Sequence, residues 1–243
     1  MKVAIIPPKA HTELADGDYH LILPQLIEER KRDAYKLFYK EAKGYKILDN
    51  GAAESKLMDS NRLMEIASYL EVDEIVVPDV LGDAVESYHK AREFGEIAKD
   101  FDWFNYMGVV QGRDRAEIVQ SIYMLMDLDY VTVLAIPRHL CEKVSKYIRY
   151  DIINALYDEL EERFGAVHFL GCSSWAKEAI ILRDLPIARG IDSSLPLYMG
   201  WKEKSIRHDG YITRPRGYFK AVLTEEQLRI ANDNIETFRM WAE

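Results

Sequence analysis

Eight short apolar runs recur along the chain, and no other feature restricts its fold so strongly. They are KVAIIPP (2–8), DYHLILP (18–24), YKILDNG (45–51), DEIVVPD (73–79), YMGVVQG (106–112), YVTVLAIP (130–137), VHFLGCS (167–173) and ARGIDSS (188–194). The runs are continuous rather than alternating, as strands buried on both faces are. Most are followed by an amphipathic segment, at 57–70, 84–99, 114–128, 139–163 and 174–184. Residues 28–42 also read as a helix, with Tyr35, Leu37 and Phe38 opposite a charged face. Strands alternating with helices predict a parallel sheet. Eight such units in roughly 200 residues predict a closed α/β barrel, a single (β/α)8 TIM barrel, over an open doubly wound sheet. No GxGxxG or P-loop follows the first run.

Two places break the rhythm. The first connection, KAHTELADG, is too short for a helix. Residues 195–222 contain glycine and proline and no clean periodicity, so they are expected to form an irregular loop over the barrel mouth. A terminal helix is expected over 224–243, with Thr224 as N-cap and Gln227 three residues on. No Pro/Gly/Ser linker divides the 243 residues, so one domain over 1–243 is expected.

Composition narrows the functional classes. The chain is 48% hydrophobic and 30% charged, with a net charge of −9, so a nucleic acid would have to meet a local basic patch. Cys141 and Cys172 lack metal-type spacing and read as reduced thiols. Only a few apolar residues separate Lys2 from Pro7 and Pro8, which does not resemble a signal peptide. No run approaches the roughly 18 apolar residues of a membrane span. A soluble cytoplasmic protein with no membrane partner, no cofactor and no metal is the expectation.

In a parallel barrel the active site is built at the carboxyl ends of the strands. Those ends carry Asp49–Asn50–Gly51, Pro78–Asp79, Gln111–Gly112, Ala135–Ile136–Pro137, Gly171–Cys172–Ser173 and Asp192–Ser193. A single aspartate there reads equally as a helix cap or turn former. Asp83 is a candidate cap for the helix after Asp79, which leaves Asp79 for other work. Together, carboxylates, a carboxamide and close-approach glycines fit a purine-like base. Carboxylates accept from amino and ring N–H groups, and the amide matches a ring carbonyl or nitrogen. His20, His139 and His168 lack paired ligand spacing and read as satisfied histidines rather than ligands or proton shuttles. Cys172 has no evident cationic partner and reads as pocket wall.

Two stretches are locally basic. Arg138, Lys143, Lys146 and Arg149 stand against Glu142 alone. Lys202, Lys204, Arg207, Arg214, Arg216 and Lys220 stand against Glu203 and Asp209, interleaved with Tyr211, Tyr218 and Phe219. Basic and aromatic residues over a barrel mouth suit nucleic acid, although a solvated loop has the same composition.

The ordered strand-end motifs resemble those of the tRNA-guanine transglycosylase superfamily, from the first strand to about Pro196. DYHLILP is similar to the family's tyrosine–histidine–leucine segment, and ILDNGAAE to its aspartate–serine–glycine–glycine motif. IVVPD resembles the following aspartate-ended strand. GVVQG is similar to glycine–isoleucine–valine–glutamine–glycine, and VLAIP to leucine–alanine–valine–glycine. HFLGCS resembles the leucine–methionine–glycine strand, and RGIDSSLP the glycine–isoleucine–aspartate motif. The resemblance implies that Asp192 is the nucleophile at the sugar C1′ and Asp49 its proton-transferring partner. It implies base recognition by Asp79 and Gln111, with Asn50 beside them. It also implies contacts from Gly112 and the Leu134 backbone, and stacking by Leu170. Arg138, Lys143, Arg207, Arg214 and Arg216 are the candidate phosphate contacts.

The departures have consequences. The tRNA enzymes carry a zinc site of three cysteines and one histidine after the last strand, whereas no cysteine follows Cys172. The zinc subdomain is therefore expected to be missing, with 195–243 in its place. Ala53 stands where an aromatic usually covers the base, implying a wider pocket. In character the chain resembles the compact phage and bacterial members that place 7-deazaguanines in DNA. The implied activity is exchange of guanine or a 7-deazaguanine in nucleic acid, DNA ahead of tRNA, through a glycosyl-aspartate. An N-glycosidase or nucleoside-processing enzyme, or a non-catalytic nucleotide-binding accessory protein, remains open beside it. So does a homodimer or partner subunit.

Overall fold

The computed structural model describes residues 1–27, 33–54, 57–173, 175–207 and 213–243. Eight parallel strands match the eight apolar runs. They are β1 (Lys2–Ile5), β2 (Tyr19–Ile22), β3 (Tyr45–Leu48), β4 (Glu74–Val76), β5 (Asn105–Val109), β6 (Val133–Ala135), β7 (Val167–Phe169) and β8 (Ala188–Ser193). They pair in the order β1-β8-β7-β6-β5-β4-β3-β2, which brings β1 beside β2 and nearly closes the sheet on itself. With helices around the outside, this is a (β/α)8 TIM barrel.

Strand periodicity separates two cores. Ala4, Ile6, Leu21, Leu23, Ile47, Val76, Val109 and Ala135 fill the barrel interior. Their opposite-parity neighbours, among them Ile5, Ile22, Leu48, Ile75, Leu134 and Ile191, pack outward under the helices. One irregularity lies between β7 and β8. Val167 pairs with Ala188, His168 with Gly190, and Arg189 is left over as a bulge. A bulge re-aims its side chain, and the Arg189 guanidinium reaches Glu74 across the barrel at 2.7 Å through both terminal nitrogens.

The outer helices are α1 (Ala34–Glu41), α2 (Ser60–Leu70), α3 (Ala84–Ala98), α4 (Arg115–Met126), α5 (His139–Lys143), α6 (Ile148–Ala155), α7 (Tyr157–Phe164) and α8 (Glu178–Leu182). Asp33, Asp59, Asp83 and Asp114 cap α1 to α4 by accepting a backbone N–H of the first turn. Asp83 is thus a cap, as its position suggests, and Asp79 is not. The 139–163 segment breaks into three helices rather than one. Residues 28–32, the start of the expected 28–42 helix, lie outside the described residues.

The expectation of an irregular 195–222 needs correction over Leu195–Trp201. Leu195–Trp201 is a helix, α9, with a proline in its first turn, where a missing N–H costs nothing. Its apolar residues pack under the terminal helix α10 (Glu225–Ala242), which starts at the Thr224–Gln227 capping box. Tyr218 is fully buried and donates its hydroxyl to the Ile6 carbonyl at 2.7 Å, tying this region to the mouth end of β1. Residues 195–200 lack obvious periodicity because all are buried, whereas most described residues of 202–222 are intermediate or exposed and outside any α-helix. Residues 208–212, including Asp209 and Tyr211, lie outside the described residues. Among the described residues, no helix is long and apolar enough to cross a membrane.

Candidate active site

The Asp49–Asn50–Gly51 turn sits where β3 ends. Asp49 N–H still pairs with Ile22 O, so the carboxylate leaves the strand in register and enters the barrel mouth. Gly51 has φ +83°, which turns the chain away at a position that suits glycine. Its N–H donates to Asp49 Oδ2 at 3.1 Å, and Ala52 N–H donates to Asn50 Oδ1 at 2.8 Å. Asn50 Nδ2 then bridges Val77 O and Asp79 Oδ1, both at 2.7 Å. Gln111 Nε2 donates to the other Asp79 oxygen, while Gln111 Oε1 accepts from Gly82 N–H at 2.8 Å.

The result is a fixed strip: carboxamide, carboxylate, carboxamide. Both Asn50 Nδ2 protons are used, whereas Gln111 Nε2 keeps one and Asp79 keeps lone pairs. The strip therefore presents a donor beside acceptors, which suits the edge of a heterocycle with alternating N–H and carbonyl groups.

Burial sets the protonation. It pushes the Asp49 carboxyl up to about 7, and the charges of Asp192 and Asp79 add to the rise. Burial raises Asp79 to about 6, held back by the Asn50 and Gln111 hydrogen bonds. Asp49 can therefore both give and take a proton near neutrality.

Asp192 occupies the end of β8, level with Ala4 of β1. Its Oδ1 accepts twice, from Gly171 N–H at 2.9 Å and from His168 Nε2 at 3.1 Å. His168 is fully buried, and its Nδ1 lies 2.9 Å from the Tyr19 hydroxyl.

Asp49, Asn50, Asp79, Gln111 and Asp192 line one cavity of about 250 Å³ at the carboxyl ends of the strands. Ile6, Leu21, Leu23, Val76 and Val109 form its apolar lower wall, and Leu170 and Cys172 a side wall. Burial holds the Cys172 thiol well above its ordinary pKa, in keeping with a wall rather than a nucleophile. Arg138, Arg214 and Tyr198 reach the rim, and Ala53 is exposed there. Behind the wall, Arg149 and Glu178 form a buried bidentate pair. Arg149 Nη1 also donates to Ile136 O at 3.2 Å and Gly171 O at 2.8 Å, holding the ends of β6 and β7. Arg149 therefore does not belong to a surface basic patch.

Five residues expected at the site do not line the cavity. Gly112 packs against the first turn of α4, where a Cβ would stand 2.7 Å from Ile118 N. Leu134 has the parity of the outer core and lies among helix residues. Lys143 lies outside the rim near Gly82. Arg207 sits in a separate depression with Asp233 and Glu236 on α10. Arg216 is exposed and outside the lining.

No protein-family model matches the chain, and no curated protein does.

The arrangement can still be described chemically. Two carboxylates in different surroundings share a pocket with an apolar lower wall and the carboxamide–carboxylate–carboxamide strip. His168, Tyr19, His139 and Tyr198 were not singled out for this site by the sequence. Parity alone would have flagged His168, which is two residues before Leu170 on the same strand face. Among the described residues, no three His, Cys, Asp or Glu side chains are grouped to hold a metal ion.

Proposed function

We propose that the chain is a pentosyltransferase that exchanges guanine or a 7-deazaguanine in nucleic acid, DNA ahead of tRNA. The observation that carries this reading is the unequal pair of carboxylates. Both are buried, but burial and neighbouring carboxylates push the Asp49 carboxyl up to about 7, whereas Asp192 accepts two N–H groups on one oxygen. Environments that differ in this way assign acid and nucleophile roles.

In the first half-reaction Asp192 Oδ2 attacks the sugar C1′ and the C1′–N bond breaks. Its electron pair leaves with the base, which takes the Asp49 proton. In the second half the incoming base gives a proton to Asp49 and attacks C1′, and the carboxylate departs with the Oδ2–C1′ electron pair. Two inversions give net retention. The Asn50–Asp79–Gln111 strip supports recognition of the base edge, with Leu170 against its face. Arg138 and Arg214 at the rim support contact with phosphates. This chemistry, with the ordered motifs, favours membership of the tRNA-guanine transglycosylase superfamily in its compact, DNA-acting form.

The net charge of −9 favours one other reading, hydrolysis of a smaller nucleoside in the same pocket. Water would then resolve the glycosyl-enzyme. A base-exchange assay separates the two. Labelled guanine and 7-cyano-7-deazaguanine are offered with duplex DNA, single-stranded DNA and bulk tRNA, with Asp192→Asn as the blank. Label entering DNA supports the proposal, and label entering tRNA alone moves the substrate class. Base release from a nucleoside without incorporation favours hydrolysis. No incorporation and no release overturns the enzymatic reading and leaves a binding protein.

A further inference from the structure

His168 has no place in the reaction as drawn, yet it is the side chain in direct contact with the proposed nucleophile. Both hydrogen bonds to Asp192 fall on Oδ1. Oδ2 has no hydrogen-bond partner among the described residues, and it is not a sealed-off orphan either. The carboxylate is thus presented with one oxygen tethered and one left for chemistry.

The tether has a direction. An ionised carboxylate only accepts, so His168 Nε2 carries the proton. In the neutral tautomer with Nε2–H, Nδ1 accepts and the Tyr19 hydroxyl, 2.9 Å away, is the donor. Burial holds Tyr19 far above its usual range, so it keeps the proton it must share. The Arg189 guanidinium lies beside the same ring and offers only donors, which leaves the Tyr19 proton for His168. Arg189 is fixed in turn by Glu74, which also accepts from the Tyr45 hydroxyl at 2.7 Å. The sequence builds room for this chain: a Cβ at Gly190 would stand 2.6–2.8 Å from the Tyr19 ring and hydroxyl.

We infer that Tyr19 and His168 form a relay that selects Oδ2 of Asp192 as the reacting oxygen and eases its departure from the sugar. His168 is a positioning residue, acting through Asp192. The inference rests on the reading of Asp192 as nucleophile. In the glycosyl ester Oδ2 is bonded to C1′, and Oδ1 is the carbonyl oxygen facing His168 Nε2–H and Gly171 N–H. When the C1′–Oδ2 bond breaks, the electron pair returns to the carboxylate and charge spreads to Oδ1. Two donors already aimed there stabilise that charge without reorganisation. The same donors temper Asp192 as an attacking group, so their removal slows the second half-reaction more than the first.

The test compares His168→Leu, His168→Gln and Tyr19→Phe with wild type and Asp192→Asn in the exchange assay. A denaturing gel scores covalent protein–nucleic acid adduct. His168→Leu is expected to lose roughly 10–100-fold in kcat, the span of a hydrogen bond to a charged group. KM for the base should stay within about twofold, and adduct should accumulate. His168→Gln, whose amide can still donate, is expected to recover much of the loss, and Tyr19→Phe to fall between. Wild-type kcat in a folded His168→Leu protein, with Asp192→Asn inactive, overturns the relay alone. Gln no better than Leu, with both folded, does the same. Wild-type turnover by Asp192→Asn removes the nucleophile reading and the relay with it. Long-range nitrogen–proton NMR gives a readout independent of turnover, with His168 identified by its loss in His168→Gln. The Nε2–H tautomer is expected, and Nδ1–H overturns the inference.

Discussion

Arg149 holds Glu178 through two parallel hydrogen bonds, and neither residue meets solvent appreciably. The pair does more than neutralise itself. Arg149 grips the carbonyls of Ile136 and Gly171, and Glu178 accepts from Ser173 N–H at 3.1 Å. Two neighbouring strand ends, and with them one side of the pocket, are fixed by a single ion pair.

Removing one partner should therefore be costly. Arg149→Met leaves a buried carboxylate uncompensated, a change that typically costs about 3–5 kcal/mol. Arg149→Lys keeps the charge but loses the fork and should recover only part. Urea unfolding of both variants checks this. A loss within about 1 kcal/mol for Arg149→Met would contradict the bracing role.

Asp49 should make stability fall with rising pH. In the unfolded chain its carboxyl ionises near 3.8, and in the fold at about 7. Between those values the folded state holds the extra proton. Its contribution is thus most favourable at low pH and declines as pH rises through about 7. Asp79, at about 6, adds a contribution of the same sign over a narrower pH window. Asp49→Asn should be more stable than wild type at pH 8, by up to about 4 kcal/mol, with the gap shrinking towards pH 4. Equal gaps at pH 5 and pH 8 in denaturant titrations would refute a buried ionisation.

Asp79→Asn should disrupt recognition without emptying the pocket. Asn50 and Gln111 both donate to the carboxylate, and an amide offers one acceptor oxygen where two are used. The strip must then leave a buried donor unpaired, at about 1–3 kcal/mol. Calorimetry with guanine as probe should show binding weakened tenfold or more. Unchanged affinity would move base recognition elsewhere in the cavity.

Gly190→Ala should couple to Tyr19. The added methyl collides with the ring, and overpacking of this kind costs about 1–3 kcal/mol. Combining it with Tyr19→Ala should cost less than the two separate losses together, because the clash disappears. Thermal melts of the single and double variants measure that. Simple additivity would place the strain elsewhere.

The strands were legible because a strand buried on both faces needs an unbroken apolar run, and eight were present. Asp49, Asn50, Asp79, Gln111 and Asp192 are legible because a polar residue ending such a run has only the mouth to face, whereas Leu170 comes from the resemblance alone. Gly112 and Leu134 do not line the cavity, for reasons local sequence hides: the first packs against a helix backbone, and the side chain of the second has the parity of the outer core. His168 is the satisfied histidine its sequence context suggests, but its partners are silent there, since Tyr19 lies 149 positions away. The bulge at Arg189 is equally silent in sequence, although it decides what fills the barrel floor. Helix α9 was read as a loop because a helix buried on most sides loses its polar stripe.

The barrel floor has a last implication. Tyr19 and Tyr45 stack with ring centres 5.9 Å apart, and the Arg189–Glu74 pair lies against them, so the chamber is stoppered from below. It works as a cul-de-sac. An occupant that enters past Arg138 and Arg214 has to back out along the same path before a successor can take its seat. In an exchange reaction the expelled base and the incoming base would then contend for one vacancy. Each would act as the other's competitive inhibitor, and traffic through the mouth would set the pace as much as bond making at Asp192.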